Sequence, residues 1–326
     1  MTLPYLLRLL CLCLASFFVL NAAAGLLVRA SCKSAIRFAE ARTPSTAARL
    51  LLALRVLPVA LATLFVLALC VPSYLWLEPA IASEPVGVLC AVLGFLGAAT
   101  WLLSIARTAF SLFASLRHNR LCRLAGLETR IPRESSSMVV VDDDAPLLAM
   151  SGLLRPRLLI SRGVLRALSA EELDAALRHE HSHRTSRDNI KRLVILLAPD
   201  MFPFFRPFRI LERAWSKFTE WAADDEATTG DSRRAVSLAA ALVRVARMGS
   251  GPRLPFLSTS LLACDRDLSA RVDRLLHGVP RTPARARQMH PVLCGAGILL
   301  AVCFAALLFA PSTLASVHKL LELLLR

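Results

Sequence analysis

Residues 179–183 carry the motif His-Glu-x-x-His, with His179, Glu180 and His183 at its defining positions. On a helix, residues four positions apart lie on one face, so both imidazoles can reach a single metal ion. Glu180 lies to the side of that pair, where it can take a proton from a water molecule that the metal activates. Neutral imidazole is a good zinc ligand, and a catalytic zinc site needs a third protein ligand beside its water. The motif therefore predicts a hydrolytic zinc centre with Glu180 as its general base.

A second acidic pair downstream can complete this centre. Glu220 and Asp224 are also four positions apart, in a segment with helical patterning. Glu220 can bind the metal together with His179 and His183, while Asp224 can accept a hydrogen bond from the second ring nitrogen of a ligand histidine. HExxH alone also arises by chance on polar, solvated helix faces. The acidic pair at helical spacing makes a metal site the better interpretation.

Other polar residues near the motif have plainer predicted roles. His181 points away from both ligand histidines on the helix, so we expect it to face solvent or to pack. Asp188 either helps to position the helix or pairs with Arg184 or Arg187. No residue stands out in the sequence as the stabiliser of an oxyanion.

Helices and short strands are predicted around the motif. Ser169 and Glu172 form a capping box that begins a helix, and its pattern continues without Gly or Pro to about Leu197. Three more helices are predicted at residues 208–229, 234–248 and 266–276. Residues 130–161 contain three short apolar runs, which predict a small antiparallel sheet or hairpin. The acidic triplet 142–144 ends the first run, and it lacks the Gly and the distant Glu of a calcium-binding loop.

Four apolar stretches are long enough to cross a bilayer, which needs about 20 residues. They cover residues 9–28, 56–77, 86–106 and 291–310. The first also resembles a cleavable signal peptide, but the basic residues that follow it favour a retained span. Basic residues follow the first and third spans, whereas Glu78 and Glu84 lie between the second and third. The pattern predicts a cytoplasmic segment before the last span, and the tail after it predicts a small helix on the membrane surface.

Composition agrees with a membrane protein and excludes two other classes. Of the 326 residues, 56% are apolar, and the net charge is +15. No nucleic-acid-binding motif accompanies that charge, so we expect the lipid bilayer and no nucleic acid as a partner. The nine Cys include no CxxC pair, and most lie inside apolar runs. They indicate free thiols rather than a disulfide framework.

The residues from Pro146 to Asn189 resemble the membrane-bound gluzincin-type peptidases, above all the antirepressor family of the β-lactam sensor-transducers BlaR and MecR. That family shows Gly-Leu-x-x-Pro, Leu-x-x-x-Glu-Leu, HExxH, Arg-Asp, Glu-x-x-x-Asp and Arg-Val/Ile-x-x-Leu-Leu elements. Here they stand at residues 152–156, 168–173, 179–183, 187–188, 220–224 and 271–276. The plan of four spans, with a peptidase between the third and the fourth, is also similar.

The resemblance implies a zinc endopeptidase of the bacterial inner membrane. Its expected substrate is a cytoplasmic protein, such as a transcriptional repressor, and the resemblance also implies self-cleavage. The expected fold is mainly α, with a four-helix transmembrane bundle and a cytoplasmic α+β zincin-like metallopeptidase domain. Residues 1–106 would form three spans with a basic loop, residues 107–290 the peptidase domain, and residues 291–326 the last span with its tail.

Two alternatives to repressor cleavage remain. The sensor-transducers carry a penicillin-binding domain after the fourth span, and this sequence has only a short tail there, so we expect a different signal. The HtpX-like quality-control peptidases share the HExxH and Glu-x-x-x-Asp elements but order their spans differently. A signalling scaffold without turnover is the other alternative, and the intact HExxH, Glu220 and Asp224 argue against it.

Overall fold

Long apolar helices form the N-terminal part of the chain in the computed structural model. Helix α1 covers Tyr5–Glu40, and α2 covers Pro44–Phe65. A π-helical turn at Val66–Cys70 continues α2 into α3, Val71–Leu77, and α4 covers Val88–Ala125. Three helical segments of the described chain are thus long and apolar enough to cross a membrane.

The structure describes residues 4–78, 86–130, 137–153, 156–200, 208–249, 259–260, 268–277 and 311–325. The predicted fourth span at residues 291–310 lies outside these residues, as does most of the loop between the second and third spans. The three predicted spans that the structure does describe are all helical, and their helices extend beyond the apolar stretches. The number of four spans therefore stays a prediction.

Close helix packing holds the spans together. A Cβ atom added at Gly97 of α4 would lie 2.3 Å from the Leu14 carbonyl oxygen of α1, so only glycine permits this approach. The predicted tail helix, α11, covers Pro311–Leu325. Its Leu314 and Val317 are buried against the spans, and the Ser73 hydroxyl donates a hydrogen bond to the Leu314 carbonyl at 3.0 Å. The tail helix therefore packs on protein, which the sequence did not predict.

A five-stranded sheet follows the spans, in the order β1-β2-β4-β3-β5. The strands cover Gly126–Arg130, Ser137–Val141, Leu148–Ser151, Arg157–Ser161 and Thr259–Ser260. The predicted antiparallel hairpin is confirmed for β3 and β4. The prediction of a wholly antiparallel sheet is wrong, because β4 inserts between β2 and β3 and pairs with β2 in parallel. The acidic triplet lies in the β2–β3 connection, where Asp142 pairs with Arg162 at 3.1 Å.

Helices pack on this sheet and on one end of the predicted spans. They are α5 (Arg162–Ala167), α6 (Ala170–Thr185), α7 (Asp188–Leu197), α8 (Arg209–Thr228), α9 (Ser232–Arg247) and α10 (Leu268–His277). The predicted capping box is present at the start of α6, where Ser169 accepts from the Glu172 N–H and the Glu172 carboxylate accepts from the Ser169 N–H. Buried residues of α6 and α9 pack against β3 and β4 in one apolar core.

The single helix predicted through about Leu197 is wrong. Arg187 adopts the left-handed conformation, with φ of 55°, so α6 ends before it and α7 begins at Asp188 in a new direction. Neither Gly nor Pro marks this position, and the left-handed conformation costs energy for a residue with a side chain. No local signal in the sequence could have placed the break.

Buried polar groups join the helices that follow the sheet to the predicted spans. Arg55 of α2 is fully buried and donates to Asp200 at 2.8 Å and to Glu212 at 2.9 Å. Arg107 of α4 donates to the other Asp200 oxygen at 2.9 Å. The Ser104 hydroxyl lies 2.7 Å from the carbonyl oxygen of Leu197, at the C-terminal end of α7. Arg55 also donates to the Ala198 carbonyl at 3.2 Å, so donors from two predicted spans satisfy carbonyls at the end of α7, where the helix dipole favours positive charge.

Replacing Arg55 with Met should weaken the packing of α7 and α8 on the predicted spans. The substitution keeps most of the apolar stem but removes the cation that Asp200 and Glu212 share, and Arg107 then remains beside Asp200 alone. Losing one partner of a buried ion pair costs about 3–5 kcal/mol. The measurement is thermal unfolding in detergent together with the protease sensitivity of the domain junction. Arg49→Met is the matched control, since Arg49 is exposed on the same helix; equal effects of the two substitutions would contradict the role of Arg55.

Candidate metal centre

Helix α6 presents two histidines to the interior of the fold. His179 and His183 are one turn apart, and their side chains are 0% and 1% exposed. Their Nε2 atoms lie 3.2 Å from each other. At this separation two nitrogens either share a proton or share a metal ion. The helical spacing of the motif thus produces the convergence that the sequence predicted.

Helix α8 brings a carboxylate to the same point. The Oε2 atom of Glu220 lies 3.4 Å from His179 Nε2 and 3.7 Å from His183 Nε2. Three ligands at tetrahedral angles around zinc, with bonds of 2.0–2.1 Å, would be separated by about 3.3 Å. Both Glu220 oxygens are buried and lack a hydrogen-bond partner among the described residues. The donor set therefore fits a zinc ion, and these three residues are the ones that could hold it.

A carboxylate lies beside the Nδ1 atom of each of the two histidines. His183 Nδ1 lies 2.7 Å from Asp188 Oδ2, and His179 Nδ1 lies 3.0 Å from Asp224 Oδ1. A carboxylate at Nδ1 fixes the tautomer that leaves Nε2 free for a metal. The sequence named Asp224 for this role but left Asp188 open. The structure uses Asp188 for His183 and Lys191, not for Arg184 or Arg187.

Arg271 of α10 completes the charge balance of the centre. Its guanidinium is 2% exposed and donates twice to Asp224, from Nε at 2.9 Å and from Nη2 at 2.7 Å. Its Nη1 atom lies 3.3 Å from Glu220 Oε2. Burial acts to raise the pKa of Glu220, but the imidazoles and Arg271 hold that pKa well below its usual range. Only the family resemblance indicates Arg271 in the sequence, because an arginine far along the chain carries no local signal of this contact.

Glu180 lies beside the three candidate metal ligands and is not part of that group. Its side chain is fully buried, and Oε2 accepts a hydrogen bond from the Met150 N–H of β3 at 3.1 Å. Its Oε1 atom has no hydrogen-bond partner within the described part of the chain. Burial raises the pKa of this carboxyl to about 7. A carboxylate with such a pKa can both accept and return a proton near neutral pH.

The remaining polar residues near the motif lie outside the centre. His181 is exposed, as expected for its position on the helix. Asp225 follows Asp224 on α8 but pairs with Arg274 of α10 at 2.7 Å, nearer the surface. The structure thus brings His179, His183 and Glu220 together and leaves their polar sequence neighbours in other contacts.

This arrangement is that of a zincin-type metallopeptidase site. Residues 115–256 match the family model that is described as Peptidase family M48. The chain therefore contains a peptidase M48 domain, which includes HExxH, Glu220 and Asp224. No curated protein matches the chain. The match supports a metallopeptidase but does not select the BlaR and MecR family.

Replacing Glu180 with Gln should abolish peptide cleavage and leave zinc bound, because Glu180 contributes no atom to the metal-binding group. Replacing His179, His183 or Glu220 with Ala should remove both zinc and activity. The measurements are metal content by mass spectrometry and cleavage of a peptide mixture. His181→Ala is the control and should change neither quantity. Loss of zinc from the Glu180→Gln protein in proportion to its activity would show that the roles are misassigned.

Replacing Asp224 with Asn should weaken zinc binding without abolishing it. The change removes the negative charge between Arg271 and His179, and such changes typically cost about tenfold to a hundredfold in affinity or activity. Chelator competition at several zinc concentrations measures the affinity. Asp225→Asn is the matched control, because Asp225 pairs with Arg274 and does not face the histidines. Equal losses for the two neighbours would contradict the orienting role of Asp224.

Proposed function

We propose that the chain is an integral membrane zinc endopeptidase that cleaves protein substrates on the cytoplasmic side of the bacterial inner membrane. The observation that carries the proposal is the convergence of His179, His183 and Glu220 beside Glu180, in a domain that matches peptidase family M48. The long apolar helices of the same chain support its place in a membrane.

The residues of the site fit peptide hydrolysis. Zinc bound there would polarise the scissile carbonyl and make water a nucleophile at neutral pH. Glu180 takes a proton from the attacking water through Oε1 and delivers it to the leaving amine when the C–N bond breaks. The Met150 N–H holds the other oxygen, so the carboxylate keeps its orientation during both transfers. Asp224 and Asp188 keep the histidine rings fixed throughout.

The cytoplasmic side is supported by charge and by packing. The basic residues after the first span are Arg29, Lys33, Arg37, Arg42 and Arg49. They lie in the C-terminal part of α1, in the turn after it and in the first turns of α2. Ala47 and Leu51 near that turn share an apolar cluster with Phe208 and Trp215 of the peptidase helices. The peptidase domain therefore packs on the end of the bundle that carries the positive charge, and such loops stay in the cytoplasm.

The substrate class separates two candidate roles. The resemblance to the antirepressor family favours a soluble repressor, and the role in signal transduction rests on that resemblance alone. The family M48 match is equally compatible with HtpX-like quality control of membrane proteins. A site attached closely to the spans through Arg55 and Arg107 suits clients that arrive from the bilayer. A scaffold without turnover would not require the buried metal-binding group.

Trapping with the Glu180→Gln protein tests the proposal. The variant should hold uncut substrate in native membranes, and zinc-loaded wild-type protein should then cleave the trapped protein in a chelator-sensitive reaction. One or a few soluble proteins would identify signalling, and many membrane proteins would identify quality control. The Glu180→Gln, His183→Ala double variant controls for binding that needs no metal. Absence of cleavage, or an external reading from a reporter fused after Arg123, would overturn the proposal.

A further inference from the structure

A cavity of about 340 Å³ opens beside the metal ligand His183. Its apolar wall is formed by Met150, Leu153, Pro156 and Ile190. It lies between the end of β3 and the break that separates α6 from α7. Because β3 also holds Glu180 through the Met150 N–H, the cavity adjoins both the metal-binding group and the general base. A substrate residue next to the scissile bond would enter it.

Two arginines border the cavity. Arg184 and Arg187 both line it, and within the described residues neither side chain makes an ion pair or a hydrogen bond. Their nearest acidic neighbour in sequence, Asp188, is already engaged by His183 and Lys191. None of the described residues that line the cavity is acidic. The cavity therefore combines an apolar wall with two cations that lack a counterion there.

One residue that lines the cavity, Asn189, has a buried acceptor without a partner among the described residues. Asn189 is 6% exposed, and its Nδ2 donates to the Gly152 carbonyl at 2.8 Å and lies 3.4 Å from the Met150 carbonyl. Because both of these neighbours are carbonyl oxygens, which only accept, the atom of the Asn189 side-chain amide that faces them must be the nitrogen. Its Oδ1 atom is buried and has no hydrogen-bond partner among the described residues. A buried acceptor is costly to leave unmatched, and a peptide N–H from a substrate would satisfy it.

We propose that this cavity binds a substrate carboxylate next to the scissile bond. The proposal rests on the peptidase function and names its specificity. Arg184 and Arg187 bind the carboxylate, Met150 and Ile190 contact the apolar stem, and Asn189 Oδ1 accepts a backbone N–H. The carboxylate belongs either to a Glu or Asp side chain or to the C-terminus of a substrate, because both present the same group to a guanidinium.

Library cleavage by the zinc-loaded full chain in lipid nanodiscs tests this specificity. One randomised peptide library carries free C-termini and a second carries amidated ones. Enrichment of Glu and Asp beside the cut in both libraries identifies a side-chain carboxylate. Cleavage close to the C-terminus in the free library, without such cleavage in the amidated library, identifies the terminal carboxylate. Replacing the preferred Glu with Gln in a single peptide should lower kcat/KM by about tenfold or more. Cleavage without a carboxylate preference in either library overturns the proposal.

Reversing the charge of the two cavity arginines tests the proposed specificity more directly. The Arg184→Glu, Arg187→Glu double variant should lose the preference for acidic residues and gain one for Lys at the same position, while keeping its zinc. The Arg213→Glu, Arg233→Glu double variant changes net charge equally at exposed positions on α8 and α9 that do not line the cavity. It should retain the wild-type preference. An acidic preference that survives the charge reversal at residues 184 and 187 overturns the proposal.

A binding measurement separates this proposal from the peptidase function. Fluorescence anisotropy of a labelled Glu-containing peptide and its Gln counterpart is measured on the zinc-loaded Glu180→Gln chain, which needs no turnover. Tighter binding of the Glu peptide, abolished by the charge reversal, supports the subsite even if no cleavage occurs. Equal binding of the two peptides, beside normal cleavage by the wild-type protein, removes the subsite and leaves the peptidase function intact.

Discussion

Arg271 and Asp224 form a two-point ion pair inside the peptidase domain, and the metal-binding group depends on it. The guanidinium fixes the carboxylate that faces His179, and its third nitrogen lies beside Glu220. An isolated charge in such surroundings would be strongly unfavourable, so each of these groups is stable only while the others are present. Helix α10 is consequently a structural part of the centre, although it begins more than 80 residues after HExxH in the sequence.

The parts of the site that could be predicted from sequence are those in which helical spacing determines the geometry. His179 and His183 share a helical face because they are four positions apart, and the same holds for Glu220 and Asp224. The capping box at Ser169 likewise acts within one turn and was predicted correctly. Each of these inferences needs only the period of the α-helix and the chemistry of the side chain.

The parts that could not be predicted depend on contacts between distant segments. The Arg271 contact joins α10 to α8, and no periodicity connects those helices. The break at Arg187 places a side chain in the left-handed conformation without the usual glycine, so tertiary packing must compensate for it. The parallel pairing of β2 with β4 arises because β4, and not β3, lies next to β2 in the sheet. The apolar runs of β3 and β4 are too similar to predict which of them takes that position.

Helix α7 connects α4, one of the predicted spans, to the candidate metal centre. Its ten residues form a rod of about 15 Å, with Asp188 at one end and the carbonyls that face Ser104 and Arg107 at the other. A rod held at both ends transmits displacement, because neither terminus is free to absorb it. The carboxylate that faces the His183 ring and the carbonyls that accept from α4 side chains therefore belong to one short helix. The position of α4 and the orientation of that ring are thus mechanically coupled through ten residues of backbone.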